Sequence, residues 1–250
     1  AGAADTERID TDAGLERAIV THGIADGHSV AAEEFIEGHE GFYDSITIDG
    51  EIQHDFMSHY YPGVLEAMRD RHVNPYLVTT NRLDAESYDE VKAMGRRVIR
   101  ELGIETSAVH MEWFFGPRGL RFSEIGCRPP GVGVWDIYGA ANDLDVYREW
   151  AHAIVHGTPE ATCSSRYSAG MSALRPDRDG HIVEYRGLDA VQGGFGEWII
   201  DGHFPAPGHP TQPVEGGYMA NAWMRMRHPD YDELRRMLDV VAETVHVRAG

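Results

Sequence analysis

Lysine is almost missing from this sequence. Lys92 is the only one, and every other basic side chain is an arginine. A GC-rich genome would explain this bias without any function. The scarcity still bears on nucleotide binding, because a site that holds nucleotide phosphates normally contains a lysine.

Cysteine and long apolar runs are also scarce. Cys127 and Cys163 are too few for a disulfide framework or a metal cluster, and they suit a reducing compartment. No run approaches the ~18 apolar residues of a membrane span. The N-terminal AGAADTERIDTD has no basic-then-apolar signal pattern. By elimination, the sequence predicts a cytoplasmic protein with no membrane partner.

Basic side chains are outnumbered by acidic ones. The 250 residues carry 22 basic and 41 acidic side chains, for a formal net charge of −19. Nucleic acids and anionic membranes bind cationic surfaces, so this balance argues against both as partners. A hydrophobic fraction of 42% with 25% charged residues is typical of a globular protein with a full core.

The first 160 residues mix helix and strand patterns. Apolar spacing predicts a helix over 12–22, a strand or strand edge over 30–38, and a hairpin that turns at Asp49-Gly50. A further strand is predicted over 75–82. The most regular helical pattern runs over 84–103, with Asp84 as its cap and Gly103 as its end.

A second helix is predicted over 142–157, ending at Gly157, with an inward face formed by Tyr147, Trp150, Ala151, Ile154 and Val155. Beyond a connector near residue 160, strands are predicted over 166–176, 180–188, 195–202 and 217–227, followed by a helix over 230–244. The predicted class is α+β with mostly antiparallel strands.

The stretch HMEWFFGPRGLRFSEIGCRPPG, from His110 to Gly131, carries two glutamates among the apolar residues of a predicted hairpin. If Phe115 pairs with Arg121 at the turn, Glu112 lies directly opposite Glu124. Cross-strand neighbours have Cβ atoms about 5 Å apart, where like charges destabilise a sheet.

Either one carboxyl group of this pair is protonated or a cation lies between the two, and Mg²⁺ prefers carboxylate oxygens. The alternative is two glutamates on a solvated face. Arg128, predicted on the same strand face as Glu124, favours the metal site, because an arginine there can hold a phosphate or a substrate carboxylate.

With these residues the sequence resembles the ATP-grasp superfamily. In that family two acidic residues about a dozen positions apart bind the magnesium ions of ATP, and the second opens a strand of the form E-x-N-x-R. Glu112 matches the first, and the string from Glu124 to Arg128 matches the second. The resemblance implies that Glu112 and Glu124 are Mg²⁺ ligands and that Arg128 is catalytic.

A second string, AEEFIEGHE, resembles the family's adenosine-binding hinge. The resemblance implies backbone contacts from Glu33, Glu34 and Ile36 to adenine, and hydrogen bonds from Glu40 to the ribose. It covers roughly residues 1–160. It implies an ATP-grasp C-terminal subdomain, a mostly antiparallel sheet with flanking helices.

Three parts of the chain follow from this resemblance. Residues 1–36 would be a remnant of the nucleotide lid and hinge, 37–160 the metal- and nucleotide-binding core, and 161–250 a β-rich C-terminal extension. Such an extension is similar to those of biotin-carboxylase-like and L-amino-acid-ligase-like members.

The sequence departs from the family pattern in two places. Gly126 stands where the family has the asparagine of a second metal site, and the predicted register sets His110 opposite it. His110 or a water would then fill this gap as part of the catalytic site, or His110 is only structural. The chain also begins after the position of a phosphate-binding lysine, which implies a fragment or one half of a split protein, inactive alone.

The predicted function is an ATP- and Mg²⁺-dependent ligase that joins a carboxylate to an amine through an acyl phosphate. The predicted partners are these two small molecules, an N-terminal half on a separate chain, and a second copy in a homodimer. A non-catalytic nucleotide-binding or partner subunit is the first alternative. A two-carboxylate metal hydrolase is the second, and it leaves AEEFIEGHE unexplained.

Overall fold

An eight-stranded antiparallel sheet organises the computed structural model, which describes residues 6–214, 218 and 221–250. Its strand order is β5-β4-β1-β2-β3-β6-β9-β8, and a separate pair joins β7 to β10. The strands are β1 His39–Ile48, β2 Glu51–Tyr61, β3 Tyr76–Thr79, β4 Ser107–Gly116, β5 Gly119–Gly126, β6 Ser168–Leu174, β7 Ile182–Arg186, β8 Ile199–His203, β9 Ala222–His228 and β10 His246–Ala249. The predicted α+β class with a mostly antiparallel sheet is confirmed.

Helices cover both faces of this sheet. They are α1 Asp12–Thr21, α2 Val64–Ala67, α3 Asp89–Glu101, α4 Val134–Asn142, α5 Val146–His156, α6 Leu188–Phe195 and α7 Tyr231–Thr244. On one face, α4 and α5 pack against Phe42 and Phe56. On the other, α3 packs against Tyr43 and Met111, and α7 packs against the β3–β6–β9 end. No helix in the described ranges is both long and apolar enough to cross a bilayer.

Several predicted elements are confirmed. The β1–β2 hairpin turns at Asp49 and Gly50, which take left-handed φ values of 52° and 82° as a tight hairpin turn requires. Gly157 ends α5 in the left-handed conformation. The strands predicted over 166–176 and 180–188 form as β6 and β7. The strand predicted over 195–202 forms only from Ile199, as β8, because α6 ends at Phe195 and Gly196–Trp198 is a 3₁₀ turn. The strand predicted over 217–227 forms as β9, and residues 217, 219 and 220 of that prediction lie outside the described residues, as do 1–5.

Other local predictions are wrong. Residues 30–37 form no regular element, and β1 begins at His39. Asp84 does not cap α3, which begins five residues later, after a 3₁₀ turn over Glu86–Tyr88. The helix α4 was not predicted, although helical spacing is shared by its buried residues Val134, Ile137, Tyr138 and Ala141.

The inward face predicted for α5 is also wrong. Tyr147, Ile154 and Val155 are exposed, whereas Val146, Glu149 and Ala153 are buried. The division of the chain at residues 36 and 160 stays a prediction. The β3–β6 pairing joins strands from either side of residue 160 in one sheet.

Candidate functional site

The β4–β5 hairpin that carries both glutamates contains a bulge. Near the turn, Phe115 pairs with Leu120, so the predicted Phe115–Arg121 pair is wrong by one residue. At the other end His110 pairs with Gly126, as predicted. The register slips between Met111 and Trp113, so β5 has one extra residue in this interval.

The bulge sets both Ser123 and Glu124 opposite Glu112. The Glu112 side chain is 20% exposed and Glu124 is exposed. Glu112 contacts His110, and Glu124 makes no hydrogen bond or ion pair to another residue in the described ranges. Neither carboxylate is neutralised by an arginine within that part of the chain.

Alternate residues of β1 add further acidic groups to the same sheet face. Glu40 and Asp44 flank Phe42, whose partner on β4 is Glu112, and Asp44 pairs with His110. His110 Nδ1 lies 2.6 Å from Asp44 Oδ1, and its Nε2 lies 3.4 Å from Glu112 Oε1. The Tyr138 hydroxyl, from α4, donates to Asp44 Oδ2 at 2.6 Å.

These contacts determine the charge of His110. Burial lowers the pKa of the ring, but the carboxylates of Asp44 and Glu112 outweigh burial and raise the pKa of His110 to about 10. The imidazole is therefore a cation at neutral pH. It stands opposite Gly126, where β5 offers no side chain.

Glu40 is the most buried carboxylate among the predicted site residues, at 7% exposure. Its Oε2 accepts a hydrogen bond from the Val64 N–H at 2.6 Å, at the start of α2. Burial raises the pKa of Glu40 to about 7. The hydrogen bond from Val64 lowers this pKa, and the Glu112 carboxylate raises it further. Its predicted contact with ribose stays a prediction.

This raised pKa gives a stability prediction. Below pH 4.5 the Glu40 carboxyl is neutral in both the folded and the unfolded protein. As pH rises toward 7, Glu40 ionises only in the unfolded chain, and the free energy of unfolding falls by up to about 3 kcal/mol. Glu40→Gln keeps an acceptor for Val64, so it should stabilise the protein by about that amount at pH 8 and leave stability unchanged at pH 4. Urea unfolding at both pH values, without nucleotide, measures this.

The matched control is Glu37→Gln, three residues earlier in the chain and exposed. It should show no comparable gain at pH 8. An equal effect of Glu40→Gln at pH 4 and pH 8 would contradict the assigned pKa.

Arg128 was predicted on the same strand face as Glu124. It lies beyond the end of β5, so this prediction is wrong, but its side chain turns back over the strand. A Cβ placed on Gly126 would lie 3.4 Å from Arg128 Cγ and 3.5 Å from its Nε. Its Nη1 donates to the Pro129 carbonyl at 2.9 Å. The guanidinium group thus covers the residue opposite His110 and remains exposed to a ligand.

The segment predicted to bind adenine lies against the hairpin turn. Glu33 and Glu34 are exposed and Ile36 is half-buried. Glu34 forms an ion pair with Arg118 of the turn, which lowers the pKa of Glu34. Gly116 is required here, because a Cβ on it would collide with the Glu37 carbonyl oxygen. The segment and the hairpin are therefore in direct contact.

The donor set at the hairpin fits a magnesium ion that arrives with phosphates. Across the described ranges, no three or more His, Cys, Asp or Glu side chains are grouped so as to hold a metal by themselves. Mg²⁺ is usually bound by one or two carboxylates plus substrate phosphates and waters. Glu112 and Glu124 can supply the two carboxylates.

The single lysine is not at this site. Lys92 lies in α3, where its Nζ donates to the Leu83 carbonyl at 3.0 Å and pairs with Asp89 at 3.2 Å. The positive side chains next to the pair of His110 and Gly126 are instead His110 itself and Arg128. Sequence reasoning missed Asp44 and Tyr138, although the polar alternation of Glu40 and Asp44 along β1 was a visible signal.

Comparisons with known proteins found likeness in structure alone. No protein-family model matches the sequence, and no curated protein matches it. L-amino acid ligase from Bacillus licheniformis superimposes with a TM-score of 0.77 at 16% identity, over 97% of this chain and 62% of that one. Phosphoribosylglycinamide synthetase from Anaerococcus prevotii superimposes with a TM-score of 0.62 at 13% identity, over 87% of this chain and 55% of that one.

A third neighbour is the biotin carboxylase domain of 2-oxoglutarate carboxylase from Hydrogenobacter thermophilus, a dimer in complex with MgADP, ADP and bicarbonate. It superimposes with a TM-score of 0.64 at 16% identity, over 99% of this chain and 55% of that one. This chain thus spans 55% to 62% of the length of these three neighbours. All three are ATP-grasp enzymes. The resemblance drawn from the sequence is confirmed at the level of fold, and the chain has an ATP-grasp-like fold.

Proposed function

We propose that this chain serves an ATP- and Mg²⁺-dependent ligase that joins a carboxylate to an amine through an acyl phosphate. The observation that carries the proposal is the β5 bulge, which sets Glu124 opposite Glu112 on an ATP-grasp-like sheet. Neither carboxylate has an arginine partner within the described ranges, so both remain free to bind a divalent ion.

Each residue around the bulge has a separate role in this proposal. Glu112 and Glu124 hold the ion, which when bound neutralises phosphate charge. Asp44 holds His110 in place, and His110 in turn orients one oxygen of Glu112. Arg128, turned over Gly126, reaches the transferred phosphoryl group or the oxyanion at the substrate carbonyl.

In this proposal, the segment that lies against the hairpin turn binds the nucleotide. The backbone of Glu33, Glu34 and Ile36 contacts adenine, and Glu40 hydrogen-bonds the ribose. The contact between Glu34 and Arg118 holds this segment at the turn of the metal hairpin. Adenosine and triphosphate would then be bound by neighbouring elements, which favours correct positioning for phosphoryl transfer.

Calorimetric titration with ATP, in Mg²⁺ and in EDTA, tests the nucleotide site. ATP should bind more tightly with Mg²⁺, and in the complete protein phosphate release should require both a carboxylate and an amine. Binding without phosphate release, under any pair of substrates, would favour the non-catalytic subunit. Metal binding without nucleotide binding would favour the hydrolase and overturn the proposal.

A further inference from the structure

A second group of reactive side chains lies where α5 and the connector after it pack against β2. His54 belongs to β2, Glu149 to α5, and Cys163 to the connector. His54 Nε2 lies 2.8 Å from Glu149 Oε1, and Cys163 Sγ lies 3.6 Å from His54 Nδ1. His54 and Glu149 are 5% and 1% exposed, and Cys163 is half-buried. The order is thiol, imidazole, carboxylate.

Hydrogen bonds determine which nitrogen of His54 carries the proton. Glu149 Oε1 also accepts from the Glu160 N–H at 2.8 Å, and Oε2 accepts from the Ala161 N–H at 3.1 Å. Both oxygens accept backbone N–H groups, and with Glu149 as the acceptor for His54 as well, His54 Nε2 is assigned as the donor to it. The lone pair of His54 Nδ1 therefore points at the Cys163 thiol.

The thiol needs such a base to react. Burial, with the nearby carboxylates of Asp55 and Glu149, raises the pKa of Cys163 to about 11. At neutral pH the sulfur keeps its proton and is a poor nucleophile without help. A neighbouring base that takes the proton during attack removes this limit.

We propose that Cys163 is a nucleophile that accepts small, uncharged acyl groups, with His54 as its base and Glu149 as the residue that positions His54. The sulfur attacks the carbonyl carbon of a thioester while its proton moves to His54 Nδ1. The carbonyl–sulfur bond of the donor then breaks, and the proton passes from His54 to the departing thiolate. The product is a thioester on Cys163 and a free thiol, so no oxidant or reductant is needed.

The surroundings of the sulfur select the acyl donor. Asp55 and Glu149 place negative charge near Cys163, so an anionic donor is repelled and an uncharged one is not. The position of the thiol is also fixed. The Ser164 N–H donates to the Asn142 carbonyl at 3.2 Å, and the Ser165 N–H donates to Asn142 Oδ1 at 3.1 Å. These two hydrogen bonds hold the backbone that follows Cys163.

The sequence supplies an internal control, because Cys127 is the only other cysteine. Cys127 is exposed and precedes Arg128 in the chain. If access alone set reactivity, Cys127 would react faster than Cys163. If negative charge near Cys163 matters, iodoacetamide should be preferred over iodoacetate more strongly at Cys163 than at Cys127.

Acetyl transfer from the acetyl thioester of N-acetylcysteamine, followed by intact mass, tests the proposal. At pH 7, Cys163 in a Cys127→Ser chain should react at least about tenfold faster than Cys127 in a Cys163→Ser chain. His54→Gln keeps an N–H for Glu149 but has no base for the thiol, and it should slow acetylation of Cys163 by about 100-fold.

A purely structural role for the three residues predicts the opposite direction. Loss of His54 would then loosen the connector, and acetylation of Cys163 would be unchanged or faster, which would overturn the proposal. The pH dependence decides the matter even if His54→Gln fails to fold. Attack assisted by a base rises less steeply with pH than unassisted attack, which rises about tenfold with each pH unit towards pH 11.

Discussion

If the proposed function holds, Glu124→Gln in the complete protein is expected to abolish magnesium-dependent ATP turnover while leaving the fold intact. The amide keeps the size of the side chain but loses the charge that binds a hard cation. Stabilisation of phosphate charge by a bound ion is worth several kcal/mol, so kcat should fall by about 100-fold or more. Phosphate release over a range of Mg²⁺ concentrations measures the effect, and far-UV circular dichroism checks the fold.

Glu105→Gln is the matched control. Glu105 is an exposed glutamate in the loop that leads into β4, and it lies outside the bulge. Its substitution should leave turnover and its Mg²⁺ dependence unchanged. Unchanged turnover in Glu124→Gln would count against the bulge as the metal site, even if Mg-ATP still binds.

Asp44→Ala is expected to cost about 3–5 kcal/mol of stability at pH 7, because it leaves the His110 cation buried without its main partner. The stabilisation from this pair is complete below pH 6.5 and is lost as pH rises towards 10, since the pKa of His110 is raised in the folded state. Urea unfolding across this range measures the loss.

Tyr138→Phe separates the ion pair from the rest of the network. It removes only the hydroxyl that donates to Asp44, and it should cost about 2 kcal/mol at pH 7. A loss for Asp44→Ala no larger than this would mean that His110 is not charged beside Asp44. The NMR titration of His110 gives an independent answer, since its pKa should lie near 10 and fall in Asp44→Ala.

The sequence predicted the hairpin and the acidic residues on it, but not their register near the turn. The register assumed at the turn predicts His110 opposite Gly126, and this pairing is confirmed because the bulge offsets the one-residue error at the turn. The bulge sets two residues of β5 opposite one residue of β4, and no residue type marks its position. The alternation of apolar and polar residues along the strands therefore could not locate it. The same bulge lets Glu124 oppose Glu112 although the pairing assumed at the turn was wrong.

Contacts between distant parts of the chain explain the other errors. Glu149 points inwards on α5 because its partner, His54, lies 95 residues earlier. A helical wheel counts a glutamate as outward and so turns the helix the wrong way. Asp44 was missed for a similar reason, since its partner Tyr138 lies 94 residues later, in a helix that was not predicted.

The pairing of β3 with both β2 and β6 has a consequence for truncation. A chain cut near residue 160 would lose β6 and leave one side of β3 unpaired, although Leu77 and Val78 of β3 are fully buried. An unpaired apolar strand edge is a template for aggregation. Protein trimmed at that point should therefore precipitate, so the last ninety residues are needed to keep the first 160 in solution.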